Sequence, residues 1–239
     1  MKKFTRLFQF TVILTLIMII STCKTSAQNF QGGANFIIGF PQGQFKDKID
    51  NNGYGIIANI GYAPQINPYM IGLEFTYMNY GSETRTEPFS TTIPDVFVDV
   101  NTTNNIVLGD LFLRLQPNRG FFQPYIEGLI GFSYLFTETK IENIGNANEE
   151  VASSTNFDDF AFNYGAGGGF AFVVYKADEN GSNGIREVLV DIGVKYIEGG
   201  EAEYLKRGSI RRENGVVIYD VNKSKTNLLT LQIGASVRF

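Results

Sequence analysis

The sequence has 239 residues, of which 44% are hydrophobic, 18% charged and 14% aromatic, with a formal net charge of −4. It contains no His and one Cys, so His-dependent catalysis, His-ligated zinc, an internal disulfide and a cysteine metal cluster are excluded. The charged fraction is low and the 26 Gly are many for an average soluble domain.

The first 27 residues predict a cleaved secretory signal peptide. A basic start with Lys2 and Lys3 precedes an apolar stretch over 7–20, and the small-x-small pattern Thr25-Ser26-Ala27 follows. We expect cleavage after Ala27 and a single domain over 28–239. Cys23 keeps open a second interpretation, lipidation at that residue, in which the chain is exported as well. Removing this segment removes four bases and no acid, so the mature chain is acidic and nucleic acid is not an expected partner.

The rest of the chain alternates apolar with polar or small residues, the pattern of β-strands. The last segment is the clearest: Leu229, Leu231 and Ile233 share one face, while Thr230 and Gln232 share the other. The same alternation predicts eight strands, over 30–40, 54–62, 71–77, 107–115, 126–137, 160–172, 188–196 and 227–239.

The predicted connections alternate in length. Those over 63–70 and 116–124 are short and carry Pro, Asn or Gly, whereas those over 81–105, 138–159 and 197–226 are long. An even number of strands with tight turns at one end and long loops at the other is typical of outer-membrane barrels. We therefore predict an all-β fold, an eight-stranded antiparallel up-and-down transmembrane β-barrel with both termini in the periplasm.

The polar face of the strands predicts which way the barrel faces. It is mostly Gly and small polar residues with about one charge per strand, too few for a surface in water. The apolar face should then point into lipid and the polar face into the lumen. Aromatic residues near the strand ends are expected to form girdles at the two interfaces. These are Tyr54, Tyr62, Tyr77, Tyr80, Tyr125, Phe136, Phe160, Tyr175, Tyr196 and Phe239.

Several short stretches resemble the small outer-membrane β-barrel domain family of Bacteroidetes, similar in architecture to OmpA- and OmpX-type barrels. They are Ser26-Ala27-Gln28, the run over 39–45, Gly53-Tyr54-Gly55, the run over 191–196 and the closing run over 234–239. The resemblance implies a Gram-negative outer membrane, with its lipid and lipopolysaccharide as surroundings. It also implies that the C-terminal Phe239 is a signal for the barrel-assembly machinery.

Seven charged residues fall on the predicted lumen face, four acids and three bases. An eight-stranded barrel is just wide enough for its side chains, so we expect a structural network of paired charges rather than an ion path or binding site. The seven are Glu74, Asp110, Arg114, Glu127, Asp191, Lys195 and Arg238.

Three other features suggest weaker candidates. Glu149-Glu150 with Asp158-Asp159 lacks the spacing of a calcium loop and predicts a solvated acidic loop. Lys206, Arg207, Arg211 and Arg212 form a basic patch that acids of the same predicted loop nearly cancel. The run over 165–169 is too embedded in a strand to be a phosphate loop, so its glycines are expected to allow close packing.

The sequence thus predicts a non-enzymatic outer-membrane barrel with a packed polar lumen and no catalytic residues, metal or cofactor. Envelope structure or surface contact through the long loops is the expected role. Two alternatives remain: a narrow porin-like channel for small or hydrophobic solutes, and a secreted soluble lipocalin-like binding barrel.

Overall fold

Strands dominate the computed structural model, which describes residues 29–239 except 66, 91–92, 118, 144–145, 178–183 and 214–215. The predicted signal peptide, with Cys23 and Ala27, lies outside the described residues. Among those described, no helix is long and apolar enough to cross a membrane. Eight strands form the main sheet: β1 Phe30–Pro41, β2 Gly53–Tyr62, β3 Tyr69–Ser90, β4 Ile93–Leu115, β5 Phe122–Asn143, β6 Asn146–Lys176, β7 Glu187–Gly199 and β12 Leu228–Arg238.

The eight strands close into a ring. Each pairs antiparallel with its neighbour along the chain, and β12 pairs with β1 from Gln31↔Arg238 to Pro41↔Leu228. Where all eight strands pair, closure leaves no open edge, so the backbone polar groups of that part of the wall find partners inside the sheet. This confirms the predicted eight-stranded antiparallel up-and-down barrel.

The two faces of the wall are oriented as predicted. In β12, Leu231 and Ile233 are exposed on the outside, whereas Thr230, Gln232 and Arg238 are buried in the lumen. The other strands repeat this arrangement and expose a broad belt of Phe, Ile, Leu and Tyr. An apolar exterior around a polar interior is the arrangement of a transmembrane barrel rather than of a soluble one.

The prediction of aromatic girdles is wrong for two of its residues. Tyr80 and Tyr125 are buried and point inward, because each shares the strand face of lumen residues. Exposed rings do lie near both ends of the wall, among them Tyr62 and Tyr175 at one end and Tyr54 and Tyr196 at the other.

The prediction that 81–105 and 138–159 are loops is wrong. β3 to β6 are 22, 23, 22 and 31 residues long, and they run on as paired hairpins past the apolar belt. Outside lipid the outer face of a strand can be polar, so the alternation that identifies a strand fades while its backbone pairing continues. We call the end of the barrel from which these hairpins project the long-hairpin end, and the opposite end the short-turn end.

The predicted loop over 197–226 also contains strands. It folds into β8 Glu201–Tyr204 paired with β11 Asn222–Lys225, and β9 Ile210–Glu213 paired with β10 Val216–Tyr219. A short helix, α1 Gln44–Lys48, lies between β1 and β2 at the same end. These pieces cover the long-hairpin end of the lumen, and we call them the cap.

Candidate functional site

A cluster of ion pairs crosses the middle of the lumen. The ammonium group of Lys195 on β7 donates to Glu74 Oε1 on β3 at 2.5 Å and lies 3.0 Å from Glu127 Oε1 on β5. Arg114 Nε on β4 donates to the other oxygen of Glu127 at 2.7 Å. All four side chains are buried. One carboxylate, that of Glu127, therefore joins two cations from strands on different sides of the barrel.

Arg114 also connects this cluster to Tyr125 and Asp191. Its guanidinium lies 4.1 Å from the centre of the Tyr125 ring and 3.5 Å from Asp191 Oδ2. The Tyr125 hydroxyl donates to Asp191 Oδ1 at 2.8 Å, and Gln232 Nε2 donates to the same hydroxyl oxygen at 3.1 Å. A planar guanidinium stacked on a ring with a carboxylate at its edge is held in one orientation.

The glycine run over 165–169 makes room for these groups. A Cβ on Gly169 would lie 2.6 Å from the Tyr125 hydroxyl, and one on Gly167 would lie 2.7 Å from Lys195 Cγ. A Cβ on Gly193 would also collide with the Tyr125 hydroxyl. These glycines face the lumen, so they leave the space into which the large side chains fit.

Arg238 belongs to a second, separate cluster at the short-turn end. Its Nη1 donates to Glu187 Oε2 at 2.7 Å, and its Nη2 donates to Gln31 Oε1 at 3.0 Å. Gln123 Oε1 accepts from Arg238 at 3.3 Å and from Gln116 Nε2 at 2.9 Å. The seven predicted lumen charges are therefore distributed between two layers rather than one.

Among the predicted lumen charges, Asp110 is the one that does not fit the expected network of paired charges. It is 3% exposed and lies opposite Glu74 in the β3–β4 register, yet it forms no ion pair within the described residues. Counting Glu187, which the sequence analysis missed, the buried charged side chains described are five acids and three bases. Glu187 therefore adds a fifth acid to the four that the sequence places on the lumen face. Extending the alternation of β7 back by two residues from Leu189 places Glu187 inside.

The cap closes the long-hairpin end with apolar side chains. Phe45 of α1 is fully buried, with its ring centre 5.8 Å from that of Tyr80 and 5.2 Å from that of Tyr204, both edge to face. Tyr204 shares a 2.7 Å hydrogen bond with Ser224, and burial raises the pKa of Tyr204 above that of a free phenol. Ile49 belongs to the same apolar cluster, and Leu205, whose carbonyl accepts from the Tyr80 hydroxyl, is buried as well.

The remaining predicted sites take ordinary structural places. Phe239 donates its backbone N–H to Phe30 O at 2.8 Å, and its own carbonyl accepts from Arg186 Nε at 2.7 Å. The side chains of Glu149 and Glu150 lie outside the described residues. Asp159 holds a strand of the cap, since its Oδ2 accepts from Glu203 N at 2.8 Å. In the described part of the chain, no three Cys, His, Asp or Glu side chains are grouped as a metal site would require.

The chain was compared with known families and structures. No protein-family model matches it, and no curated protein matches. Among solved structures it is similar to surface protein A of Neisseria (14% identity, 88% of this chain and 97% of that one, TM-score 0.42). It is also similar to the N-terminal β-barrel domain of Pseudomonas aeruginosa OprF (11%, 87% and 98%, 0.34). A third is a major outer membrane protein of Thermus thermophilus (11%, 88% and 99%, 0.41). The fold assignment rests on the strand pairing of this chain, and the resemblance to a Bacteroidetes family stays a prediction.

Proposed function

We propose that this chain is a non-enzymatic outer-membrane barrel that supports the envelope and presents a folded surface at its long-hairpin end. The observation that carries this proposal is the reversal of polarity across one wall, with exposed Leu231 and Ile233 outside and buried, ion-paired Lys195 and Glu74 inside. A wall of this kind is stable only where lipid surrounds it.

The outer membrane is the proposed site because closed barrels span that membrane, and the predicted signal peptide would export the chain toward it. Its lipid and lipopolysaccharide would then surround the apolar belt. Recognition of Phe239 by the barrel-assembly machinery belongs to the same proposal. In this orientation the short turns and both termini lie in the periplasm, and the cap faces the medium.

The packing of the lumen favours a structural role over a channel. Arg114 and Lys195 reach across the interior to carboxylates on other strands, and Phe112 is buried beneath the Arg114 guanidinium. An eight-stranded barrel is filled by its own side chains. Above this layer, the cap adds a second, apolar seal. We therefore propose that the charge network is structural and that the closed lumen conducts no ions.

Planar-bilayer recording on the refolded chain tests this proposal. We expect no discrete conductance steps, because in this proposal the ion-paired layer and the cap together block the lumen. Gel mobility before and after boiling provides the parallel control, since a folded barrel resistant to detergent migrates differently once it is unfolded. Stable, uniform conductance steps from a sample that shows the gel shift on boiling would establish the channel alternative. Recovery of the protein in the aqueous fraction of a lysate would establish the soluble lipocalin-like alternative.

A further inference from the structure

A polar hollow of about 450 Å³ opens at the long-hairpin end, beside the cap. Three segments far apart in the chain form it: the end of α1 with the residues that follow, the part of β3 beyond the apolar belt, and the turn after β8. Buried Ile49 and Tyr80 contribute apolar surface, while Lys48, Lys206 and Arg207 bring positive charge. The hollow is separate from the lumen clusters, none of whose residues lines it.

Hydrogen bonds hold the turn that carries two of these cations. The Tyr80 hydroxyl donates to Leu205 O at 3.2 Å, and Gly208 N donates to Glu83 Oε2 at 2.8 Å. Ser209 Oγ accepts from Lys206 N at 3.1 Å. Gly208 has a φ of +79°, a conformation that side-chain-bearing residues rarely adopt. The turn is therefore fixed against β3, and the hollow does not depend on a ligand for its shape.

The cations of the hollow lack internal partners. Within the described residues, the side chains of Lys48, Lys206 and Arg207 form no ion pair or hydrogen bond. Of the two acids that line the hollow, Glu83 already accepts the Gly208 N–H, which leaves Asp50 as the acid without such a bond. Three cations against two carboxylates leave the lining of the hollow with an excess of positive charge.

The structure also separates charges that are mixed in the sequence. Glu198, which the sequence places in the same loop as the basic patch, accepts from the Tyr164 hydroxyl at 2.5 Å on the outer wall. Glu203 lies 3.5 Å from Lys223 across the β8–β11 pair. Neither acid lines the hollow. Among the described residues, the lining of the hollow includes no acid of the predicted loop over 197–226, and the acids that face its cations, Asp50 and Glu83, come from other segments.

We propose that this hollow binds an oxyanion, the phosphate or carboxylate group of a ligand that arrives from the medium. Arg207 can present paired N–H donors to two oxygens of such a group, while Lys48 and Lys206 act as point charges. The inference rests on the proposed function in one respect, since it needs the long-hairpin end to be exposed outside the membrane.

Calorimetric titration of the detergent-folded full chain with inorganic phosphate, and separately with purified lipopolysaccharide, tests the proposal. The double variant Lys206→Glu/Arg207→Glu is the test, and Arg211→Glu is the matched control, because Arg211 is an exposed base in the same segment that does not line the hollow. Loss of two charge-assisted contacts should weaken binding by about tenfold or more, with little change in the control.

The arms distinguish the sources of the anion. Phosphate binding that the double variant loses shows a site for a free anion. Lipopolysaccharide binding that the double variant loses, and that excess phosphate displaces, shows a site for a lipid-borne one. No binding in either arm, or equal weakening by Arg211→Glu, overturns the proposal. All variants must keep the heat-dependent gel shift, so a failure to fold is recognised. Conductance is measured separately, so the proposed function can fail while this site stands.

Discussion

The same strands build two different interiors. Inside the apolar belt, β3 to β5 turn Glu74, Asp110 and Glu127 toward the lumen and Leu73, Leu111 and Ile130 toward lipid. Toward the long-hairpin end, the inner face carries a layer of apolar residues above these charges, and beyond the belt the outer face of β3 becomes polar.

Met78, Ile106 and Leu135 mark this change on the inner face, since all three are buried there. On the outer face of the same hairpins, Thr84 and Thr86 are exposed. The polarity of the outer face therefore indicates where along the strands lipid is replaced by water.

A backbone irregularity lies at this transition. The β3–β4 register shifts between Asn79 and Gly81, and the inner face moves from even-numbered to odd-numbered residues of β3. Asn105 Oδ1, on the facing strand, accepts from the Tyr77 hydroxyl at 2.9 Å and from Asn79 Nδ2 at 3.0 Å. A β-bulge re-aims the side chains that follow it, which lets one strand serve two environments.

The largest effect is expected from breaking the lumen cluster. Lys195→Ala leaves Glu74 and Glu127 buried with fewer positive partners, and should lower the free energy of unfolding in lipid vesicles by about 3–5 kcal/mol. Lys223→Ala, at an exposed pair within the cap, should cost less than about 1 kcal/mol. Urea titrations followed by gel shift would measure both. Similar losses for the two variants would contradict a structural role of the lumen network.

The cap should respond to a different kind of change. Phe45→Ala removes the buried ring between Tyr80 and Tyr204 and should cost about 3 kcal/mol of cap packing. We expect faster trypsin cleavage after Lys206 and Arg207, with the boiling-dependent gel shift retained. Phe121→Ala, at the short-turn end where the ring is exposed, is the control. Loss of the folded barrel band in Phe45→Ala alone would show that cap and barrel are a single cooperative unit.

Arg substitutions at two similarly exposed positions on the outer wall test which part of the wall faces lipid and which part faces water. Leu231 is 47% exposed within the belt and Phe97 is 49% exposed on β4 beyond it. Leu231→Arg should lower the free energy of unfolding in vesicles by about 2–4 kcal/mol if it lies at mid-bilayer, whereas Phe97→Arg should change it by about 0.5 kcal/mol or less. Thr230→Arg should act through crowding of the lumen instead. Equal tolerance of Leu231→Arg and Phe97→Arg would refute the assigned membrane boundary.

Alkaline pH should produce the smallest and most local effect. Burial raises the pKa of Tyr204, so the folded cap favours its neutral phenol. Cap stability is then complete below the ordinary phenol pKa of about 10 and decreases as the pH rises from there toward the folded value. Trypsin sensitivity against pH would follow this, and Tyr204→Phe should weaken the dependence. A cap that opens at acid pH and stays closed above pH 10 would reverse the expected sign.

Periodicity predicted the faces of the strands well. Lys195, Glu74 and Thr230 all lie where their alternation places them, because a two-residue repeat leaves each side chain one choice of side. Tyr125 shares parity with Glu127, so its inward position was available from the sequence as well. Its expected place in a girdle came from residue type and distance to the strand end, and parity was the stronger guide.

The strand register and the tertiary packing could not be predicted from the sequence. Alternation does not say that Lys195 meets Glu74 or that Arg238 meets Glu187, since those pairs depend on how the closed ring is staggered. The cap was missed for another reason. Phe45, Tyr80 and Tyr204 come from three distant segments, and no local pattern relates them. The hollow with Lys48 and Arg207 depends on the same long-range assembly.

The contact between Lys195 and Glu74 joins residues 121 positions apart, on β7 and β3. A partly inserted sheet that contains Lys195 without Glu74, or the reverse, would expose an unpaired charge to hydrocarbon, at a cost of several kcal/mol. Stepwise entry of single hairpins into the bilayer is therefore unfavourable for this chain. The barrel should cross the membrane in a concerted event, with its opposing strands already gathered around the nascent interior.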